Sequence, residues 1–104
     1  MGKAGAAWAK PIYLSCHYVE RLGGPETLQI TADEATGTVS YLVPRTGYSQ
    51  SVRATFTPDQ VAFSDNFIMT WTINRTDLSF TADRANVGAT RGACKLVAPP
   101  KRAF

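Results

Sequence analysis

The single histidine of the chain, His17, directly follows Cys16, so this pair is the first candidate for chemistry. A cysteine–histidine nucleophilic pair needs its two side chains in hydrogen-bond contact. The surrounding residues predict a strand, in which consecutive side chains point to opposite faces. A serine triad would also need His17, and the sequence has no G-x-S-x-G motif to present the serine. We therefore predict that His17 is an exposed strand residue without a catalytic partner.

Metal and cofactor chemistry has equally little support. Two cysteines and one histidine without C-x-x-C spacing fall short of a zinc site. The acidic residues are scattered, and no glycine-rich loop follows a predicted strand to hold a phosphate. The sequence thus predicts no metal, no cofactor and no enzyme activity. The alternative is an active site assembled from residues that are distant in sequence.

The two cysteines have a structural interpretation. Cys16 and Cys94 fall in the predicted first and last strands, both at positions that face inward. In an up-and-down barrel these strands are neighbours, which allows a disulfide. The bond would close a loop of roughly 78 residues and stabilise the fold by about 4–5 kcal/mol on the chain-entropy model. Two buried free thiols are the alternative.

Alternating apolar and polar residues, typical of strands with one buried face, recur along the chain. The clearest run lies between Phe67 and Ile73, whose odd-numbered residues, Phe67 and Trp71 among them, are predicted to face the core. The other apolar rows are Ile12-Leu14-Cys16-Tyr18, Leu28-Ile30-Ala32, Val39-Tyr41-Val43, Val52-Ala54-Phe56, Val61-Phe63, Leu78-Phe80-Ala82 and Cys94-Leu96. No window has helical periodicity of useful length, so the sequence predicts about eight short strands.

Short polar connections join the predicted strands. Residues 33–37 form a hairpin loop with Gly37 at its end, where positive φ is usually required, and Thr57-Pro58-Asp59-Gln60 reads as a type I turn. Parallel crossovers need a dozen or more residues, so the pairing is expected to be antiparallel and sequential. We predict an all-β fold, in which about eight short antiparallel strands form a small barrel or a flattened sandwich. A barrel is favoured because closure removes exposed strand edges.

The 104 residues suffice for one domain, predicted over residues 11–97. Residues 1–10 are predicted to be a flexible N-terminal segment, and residues 98–104 a basic C-terminal tail. Within the first segment, Ala7-Trp8-Ala9 fits the pattern that precedes signal-peptidase cleavage. This motif leads us to interpret the segment as the remnant of a longer signal peptide. Together with the predicted disulfide, it leads us to expect an exported, periplasmic or secreted protein. A chance match in a cytoplasmic protein is the alternative.

The net charge of +3 is unevenly distributed. Residues 84–104 carry five basic residues and no acid, whereas residues 11–83 carry four arginines and eight acids, a balance of −4. Nucleic-acid binders usually place aromatic side chains among their basic residues, but Phe104 is the only aromatic of the last 21 residues. No stretch approaches the roughly 20 apolar residues that span a bilayer. A protein partner is therefore expected, rather than nucleic acid or a membrane span.

Loops are the expected location of binding residues. Three are long enough to matter, at residues 21–25, 45–50 and 85–92. Arginine and tyrosine are enriched among the residues that dominate binding energy. The predicted binding residues are Arg45, Tyr48, Arg84 and Arg91.

Several short motifs suggest a family resemblance. They are Tyr13-Leu14-Ser15-Cys16, Ile73-Asn74-Arg75-Thr76, Gly92-Ala93-Cys94 and a basic tail that ends in Phe104. In this order they resemble small functionally uncharacterised all-β proteins of bacteria and their phages, which have a cysteine near each end and often glycine where this chain has Asp77. The chain is more loosely similar to the periplasmic inhibitors of c-type lysozyme, which are small antiparallel barrels. Residues 45–49 share residue types with their inhibitory loop in a different order.

These observations predict a non-catalytic binding or inhibitor module that is exported and recognises another protein through its surface loops. The alternative is a cytoplasmic phage or mobile-element protein that binds a host-defence protein or a nucleotide. The sequence does not indicate an oligomeric state.

Overall fold

Eight antiparallel strands make up the computed structural model, which describes residues 10–20 and 23–99. The strands are β1 (Ile12–Glu20), β2 (Gly24–Asp33), β3 (Thr38–Val43), β4 (Tyr48–Phe56), β5 (Gln60–Ser64), β6 (Met69–Asn74), β7 (Ser79–Arg84) and β8 (Gly88–Leu96). Each strand pairs with the next, and β8 pairs with β1, so the sheet closes into a barrel. The prediction of an all-β meander is confirmed, and the structure selects the barrel over the sandwich.

Some predictions fall on residues outside these ranges. They are the Ala7-Trp8-Ala9 motif with most of the predicted N-terminal segment, Arg21 and Leu22 of the first loop, and residues 100–104 of the basic tail. Within the described ranges, no helix has the length and apolar character needed to cross a membrane.

Alternation places one apolar face of the sheet inside the barrel. The largest fully buried side chains are Phe80, Leu14, Leu28, Ile30, Ile73, Val39, Val61 and Cys16. An aromatic cluster fills the space between β3, β5 and β6: the Phe63 and Trp71 rings stack at 5.2 Å, and Tyr41 meets Trp71 edge-on at 5.0 Å. Burial on this scale is the main stabilising contribution to a domain of this size.

The seam between β1 and β8 is closed by the disulfide. Cys16 and Cys94 are register partners, and their sulfurs are bonded, as predicted. Gly92 is the register partner of Tyr18 in the same seam, and a Cβ atom there would collide with the His17 carbonyl oxygen and approach the Tyr18 Cβ to 2.7 Å. Only glycine therefore fits at this close approach of the two strands.

The meander places alternate loops at opposite ends of the barrel. One end carries the loops of residues 44–47, 65–68 and 85–87, and we call it the Phe67 end. The other carries the loops of residues 34–37, 57–59 and 75–78, and we call it the Arg75 end. Gly37 has a φ of 70°, in agreement with the prediction for its hairpin loop.

Two residues predicted to face the core lie on the surface instead. Phe67 is 83% exposed, because β6 begins only at Met69 and Phe67 belongs to the preceding loop. Leu96 is 62% exposed. It pairs with Leu14 on β1, but β7 begins opposite Ala93, so no part of β7 covers Leu96 on the other side.

Candidate functional site

Exposed apolar side chains are concentrated at the Phe67 end. Among the described residues, the large hydrophobic side chains with substantial exposure at this end are Phe67 (83%), Val19 (59%) and Tyr48 (54%). The others, Leu96 and Val97, are adjacent residues where the chain leaves β8 at the Arg75 end. Isolated exposed hydrophobic residues are common, but an aromatic pair at one end of a barrel is a candidate contact surface.

Phe67 is held in place by hydrogen bonds within its own loop. One carboxylate oxygen of Asp65, Oδ1, accepts hydrogen bonds from the backbone N–H groups of Phe67, Ile68 and Met69 at 2.8–3.0 Å. The Ser64 hydroxyl donates to the Met69 carbonyl at 2.9 Å and accepts from the Asn66 N–H at 2.9 Å. The loop backbone is thus fixed by two side chains that precede Phe67, those of Ser64 and Asp65.

The neighbouring loop contacts strengthen this arrangement. Asn66 has a φ of 62°, the left-handed conformation that asparagine tolerates better than most residues. Ile68 packs against the core, and its carbonyl accepts a hydrogen bond from the Ala85 N–H at 2.8 Å. The loop is therefore anchored on one side of Phe67 while the phenyl ring itself remains in solvent.

Tyr48 is the outermost member of the aromatic cluster. Its ring lies 6.3 Å from that of Tyr41, and both hydroxyls donate to Oε1 of Gln50, at 2.6 Å from Tyr48 and 3.0 Å from Tyr41. Burial raises the pKa of Tyr41 to about 12, and the Tyr48 phenol and the Asp65 carboxylate act in the same direction.

Arg45 occupies the loop of residues 44–47. Its Nη2 donates to Oε1 of Glu26 at 2.7 Å, with 67% of the arginine side chain exposed and 11% of the glutamate side chain. This hydrogen bond raises the pKa of Arg45 further. The guanidinium is positioned by Glu26 and is still accessible to a ligand.

Arg91 and Arg45 line a common cavity of about 560 Å³ on the outer surface. His17, Tyr18 and Glu26 contribute to the same cavity. With two arginines and one carboxylate, which is already paired to Arg45, the cavity favours an acidic group. Two of the four predicted binding residues therefore meet in one place.

Arg84 has a different environment. Its Nε donates to Oε1 of Glu20 at 3.1 Å, and only 24% of its side chain is exposed. The Tyr18 hydroxyl donates to the other carboxylate oxygen at 3.5 Å. Burial raises the pKa of Tyr18 to about 12, the Trp71 indole opposes this shift, and the charges of Glu20 and Glu26 add to it. These contacts fix the Arg84 side chain at the Phe67 end of the barrel.

The Arg75 end is built around one arginine. Nη2 of Arg75 donates to Oε1 of Glu34 at 2.8 Å, and its Nη1 donates to the Thr57 carbonyl at 2.6 Å. The Arg75 N–H donates to the Asp59 carbonyl at 2.8 Å. With 6% of its side chain exposed, Arg75 joins all three loops of this end. The sequence motif Ile73-Asn74-Arg75-Thr76 contains this residue but predicts no role for it.

Cys16 and His17, the two residues first considered for catalysis, point to opposite faces of β1. The Cys16 side chain is buried and bonded to Cys94, whereas His17 is exposed and its Nδ1 lies 3.0 Å from the Thr27 hydroxyl, as expected for neighbours on a strand. In the part of the chain that the structure describes, no group of three or more histidine, cysteine, aspartate or glutamate side chains could hold a metal ion.

Comparison with known proteins finds no matching family model, curated protein or solved structure. Any functional inference therefore rests on the geometry of this chain. That geometry singles out the Phe67 end, where Phe67, Tyr48 and Arg45 are accessible and are held by defined contacts.

Proposed function

We propose that the protein is a non-catalytic binding or inhibitor module that recognises a protein partner through its Phe67 end. The observation that carries the proposal is the presentation of Phe67, which is 83% exposed on a loop fixed by three hydrogen bonds to Asp65. A phenylalanine in solvent contributes nothing to the stability of the barrel. Its buried surface would contribute directly to a complex.

The rigidity of the loop supports binding. Ordering a flexible loop during association costs free energy, and a loop that is already ordered avoids that cost. Aromatic residues in such positions commonly dominate the binding energy of interfaces. Phe67 is therefore the expected anchor, inserted into an apolar pocket of the partner.

The surrounding polar groups indicate the rest of the partner surface. Arg45 is 67% exposed along its side chain, and with Arg91 it lines a cavity that favours an acidic group. Tyr48 offers an exposed ring between these groups and the core aromatic cluster. The complementary partner surface has an apolar pocket flanked by at least one carboxylate.

The cellular location is part of the same proposal. The Cys16–Cys94 disulfide is compatible with an oxidising compartment, where such bonds form and persist. Together with the Ala7-Trp8-Ala9 motif of the sequence, it supports export to a periplasm or secretion.

Site-specific photo-crosslinking tests the proposal. p-Benzoylphenylalanine replaces Phe67 in one variant and Leu96, an exposed residue of the Arg75 end, in a matched control. Both variants are irradiated in periplasmic and in cytoplasmic extracts of the source cell. We expect one defined adduct, from the periplasmic extract and position 67 only. Excess unmodified protein should suppress this adduct, and excess Phe67→Ala should not.

Other outcomes would contradict specific parts of the proposal. Equal adducts from positions 67 and 96, or no adduct at 67 in either extract, would refute the binding surface. An adduct at 67 found only in the cytoplasmic extract would refute the exported location.

A further inference from the structure

A second concave surface lies on the side wall of the barrel, and Phe67 does not line it. It is a groove of about 740 Å³ on the outer face of the consecutive strands β8, β1, β2, β3 and β4. Volumes of 300–1,000 Å³ are typical of small-molecule sites. The groove is therefore large enough for a ligand of several rings.

The strand register arranges the outward side chains of the groove into two rows. The first row is Lys95, Ser15, Gln29, Leu42 and Ser49. The second row is Tyr13, Thr31, Ser40 and Ser51. Neighbouring members of a row are about 4.8 Å apart, the spacing of adjacent strands. Small polar side chains thus repeat across the groove at regular intervals.

The chemistry of the lining is dominated by hydroxyl and amide groups. Each hydroxyl provides one donor and two acceptor sites, and each glutamine amide provides two donors and an acceptor. The Ser40 and Ser51 hydroxyls bond each other at 2.7 Å, which leaves one of the two with a free proton for a ligand. Among the described residues that line the groove, none carries a carboxylate. The groove can therefore donate and accept hydrogen bonds along its length without repelling an anion.

Apolar contacts accompany these polar groups. Tyr13 is half-buried at one end of the second row, and Leu42 is half-buried within the first. An aromatic ring beside hydroxyl groups suits a ligand that has both C–H faces and O–H edges.

Other ligand classes fit this surface less well. A peptide that adds to a sheet needs an unpaired strand edge, but β1, β2 and β3 are hydrogen-bonded to neighbours on both sides. Nucleic acid needs several cations that contact phosphates, and among the described lining residues Lys95 is the one lysine or arginine. We propose that this groove binds a linear oligosaccharide, whose hydroxyls pair with the serine, threonine and glutamine side chains.

The test is an NMR titration of the isotopically labelled, disulfide-intact chain. The probes are four linear hexasaccharides: a β-1,4-glucan, an α-1,4-glucan, a β-1,4-linked N-acetylglucosamine chain and an α-1,4-galacturonate. We expect at least one probe to bind with a Kd of about 1 mM or tighter. Shift changes should be concentrated at the amides of Ser15, Gln29, Thr31 and Ser40.

A pair of matched variants locates the site. Ser40→Trp fills the groove and should raise the Kd at least about tenfold. Thr81→Trp places the same side chain on β7, outside the groove, and should leave the Kd unchanged. Tryptophan is well tolerated on strand surfaces, so both variants are expected to fold.

Binding of the galacturonate alone would support the proposal and assign the acidic class, with Lys95 as its partner. The proposal is overturned if no probe binds at about 10 mM, if the shifts map elsewhere, or if both variants weaken binding equally. Crosslinking from position 67 should be unaffected by Ser40→Trp. Failure of this inference would therefore be distinguishable from failure of the protein-binding proposal.

Discussion

The two ends of the barrel use similar loops for different purposes. At the Arg75 end, a buried arginine side chain bonds to Glu34 and to the Thr57 carbonyl, so that three loops are held together. At the Phe67 end, Asp65 fixes the backbone of one loop and leaves an aromatic ring in solvent. The difference indicates that the Arg75 end stabilises the fold, and it agrees with our proposal that the Phe67 end presents residues for recognition.

The largest expected effect on stability is at the Arg75 end. Arg75→Met leaves the partly buried Glu34 carboxylate without its arginine and removes the bond to Thr57, so we expect a loss of about 3 kcal/mol in the free energy of unfolding. In the matched variant, Arg45→Met, the side chain lost is 67% exposed, against 6% for Arg75, so the expected loss of stability is much smaller. Urea unfolding of the disulfide-intact proteins measures both. Equal losses of stability in the two variants would contradict the conclusion that the Arg75 end contributes more to stability than the Phe67 end.

Truncation of the exposed Phe67 side chain should weaken partner binding and leave the stability of the barrel almost unchanged. Phe67→Ala is expected to raise the Kd for the crosslinked partner about 30-fold, which corresponds to about 2 kcal/mol for an anchor residue. The free energy of unfolding of the Phe67→Ala variant should differ from that of the unmodified protein by less than about 0.5 kcal/mol. Leu96→Ala, at the other end, should leave the Kd unchanged. Isothermal titration calorimetry measures the Kd of each variant for the partner. A similar Kd for both variants would contradict the role of Phe67 as the anchor.

Each end also has a side chain that accepts hydrogen bonds from its loop backbone. Asp65→Ala removes the acceptor of three N–H groups, and Asn74→Ala removes the acceptor of the Thr76 and Asp77 N–H groups. We expect each variant to lose about 1–2 kcal/mol of stability. Only Asp65→Ala should also weaken partner binding, and Asp65→Asn, which keeps one acceptor oxygen, should restore most of it. Weakened binding in Asn74→Ala would argue for a general loss of structure.

Alkaline pH should destabilise the barrel through two buried tyrosines, Tyr18 and Tyr41. Burial raises the pKa of Tyr18 and Tyr41 to about 12 from the ordinary value of 10.0. Between these values the folded chain holds protons that the unfolded chain has lost, so stability is fully present below about pH 10 and falls as the pH rises towards 12. We expect a loss of about 1 kcal/mol at about pH 11, because solvent screening reduces the effect of partly exposed groups.

Unfolding in urea at about pH 9 and about pH 11 measures this loss, and ultraviolet absorbance follows phenolate formation. Tyr41→Phe should reduce the difference between the two pH values. If the variant shows the same difference as the unmodified protein, Tyr41 does not contribute.

The smallest expected effect concerns the loop of residues 85–87. Asn86 has a φ of 66°, a conformation that glycine adopts without steric cost. Asn86→Gly should therefore raise the free energy of unfolding by up to about 0.5 kcal/mol. Because this loop lies at the Phe67 end without carrying the anchor, partner binding should stay the same. A clear change in Kd would extend the binding surface to this loop.

Periodic patterns were sufficient to predict the barrel. The alternation of apolar residues gave the strands and their inward faces, and the order of the strands placed Cys16 next to Cys94. The same alternation led to a wrong prediction for Phe67, because this residue has the parity of Met69 and Trp71 but lies in a turn. The signal that could have shown the loop to continue as far as Ile68 is Ser64-Asp65, two residues whose side chains bond to the loop backbone.

The candidate site was only partly predictable, because the alternation pattern does not show which distant residues contact each other. Residue type and expected loop position selected Arg45, Tyr48 and Arg91, but of these three only Arg45 lies in a loop. Tyr48 begins β4, and Arg91 lies within β8. In contrast, the pairs Arg75–Glu34 and Arg84–Glu20 join residues 41 and 64 positions apart. Such pairs depend on which strand ends meet in space, and the alternation pattern carries no information about them.

The covalent link between the first and last strands also affects how the chain withstands proteases. A single cut anywhere between residues 16 and 94 leaves one cysteine on each fragment, so the two pieces stay tethered by the Cys16–Cys94 bond. The barrel has eight pairs of neighbouring strands. After one cut in a loop, seven of these pairs would still be joined covalently, six by uncut loops and the β1–β8 pair by the disulfide. A nicked molecule would therefore keep its shape and continue to present Phe67.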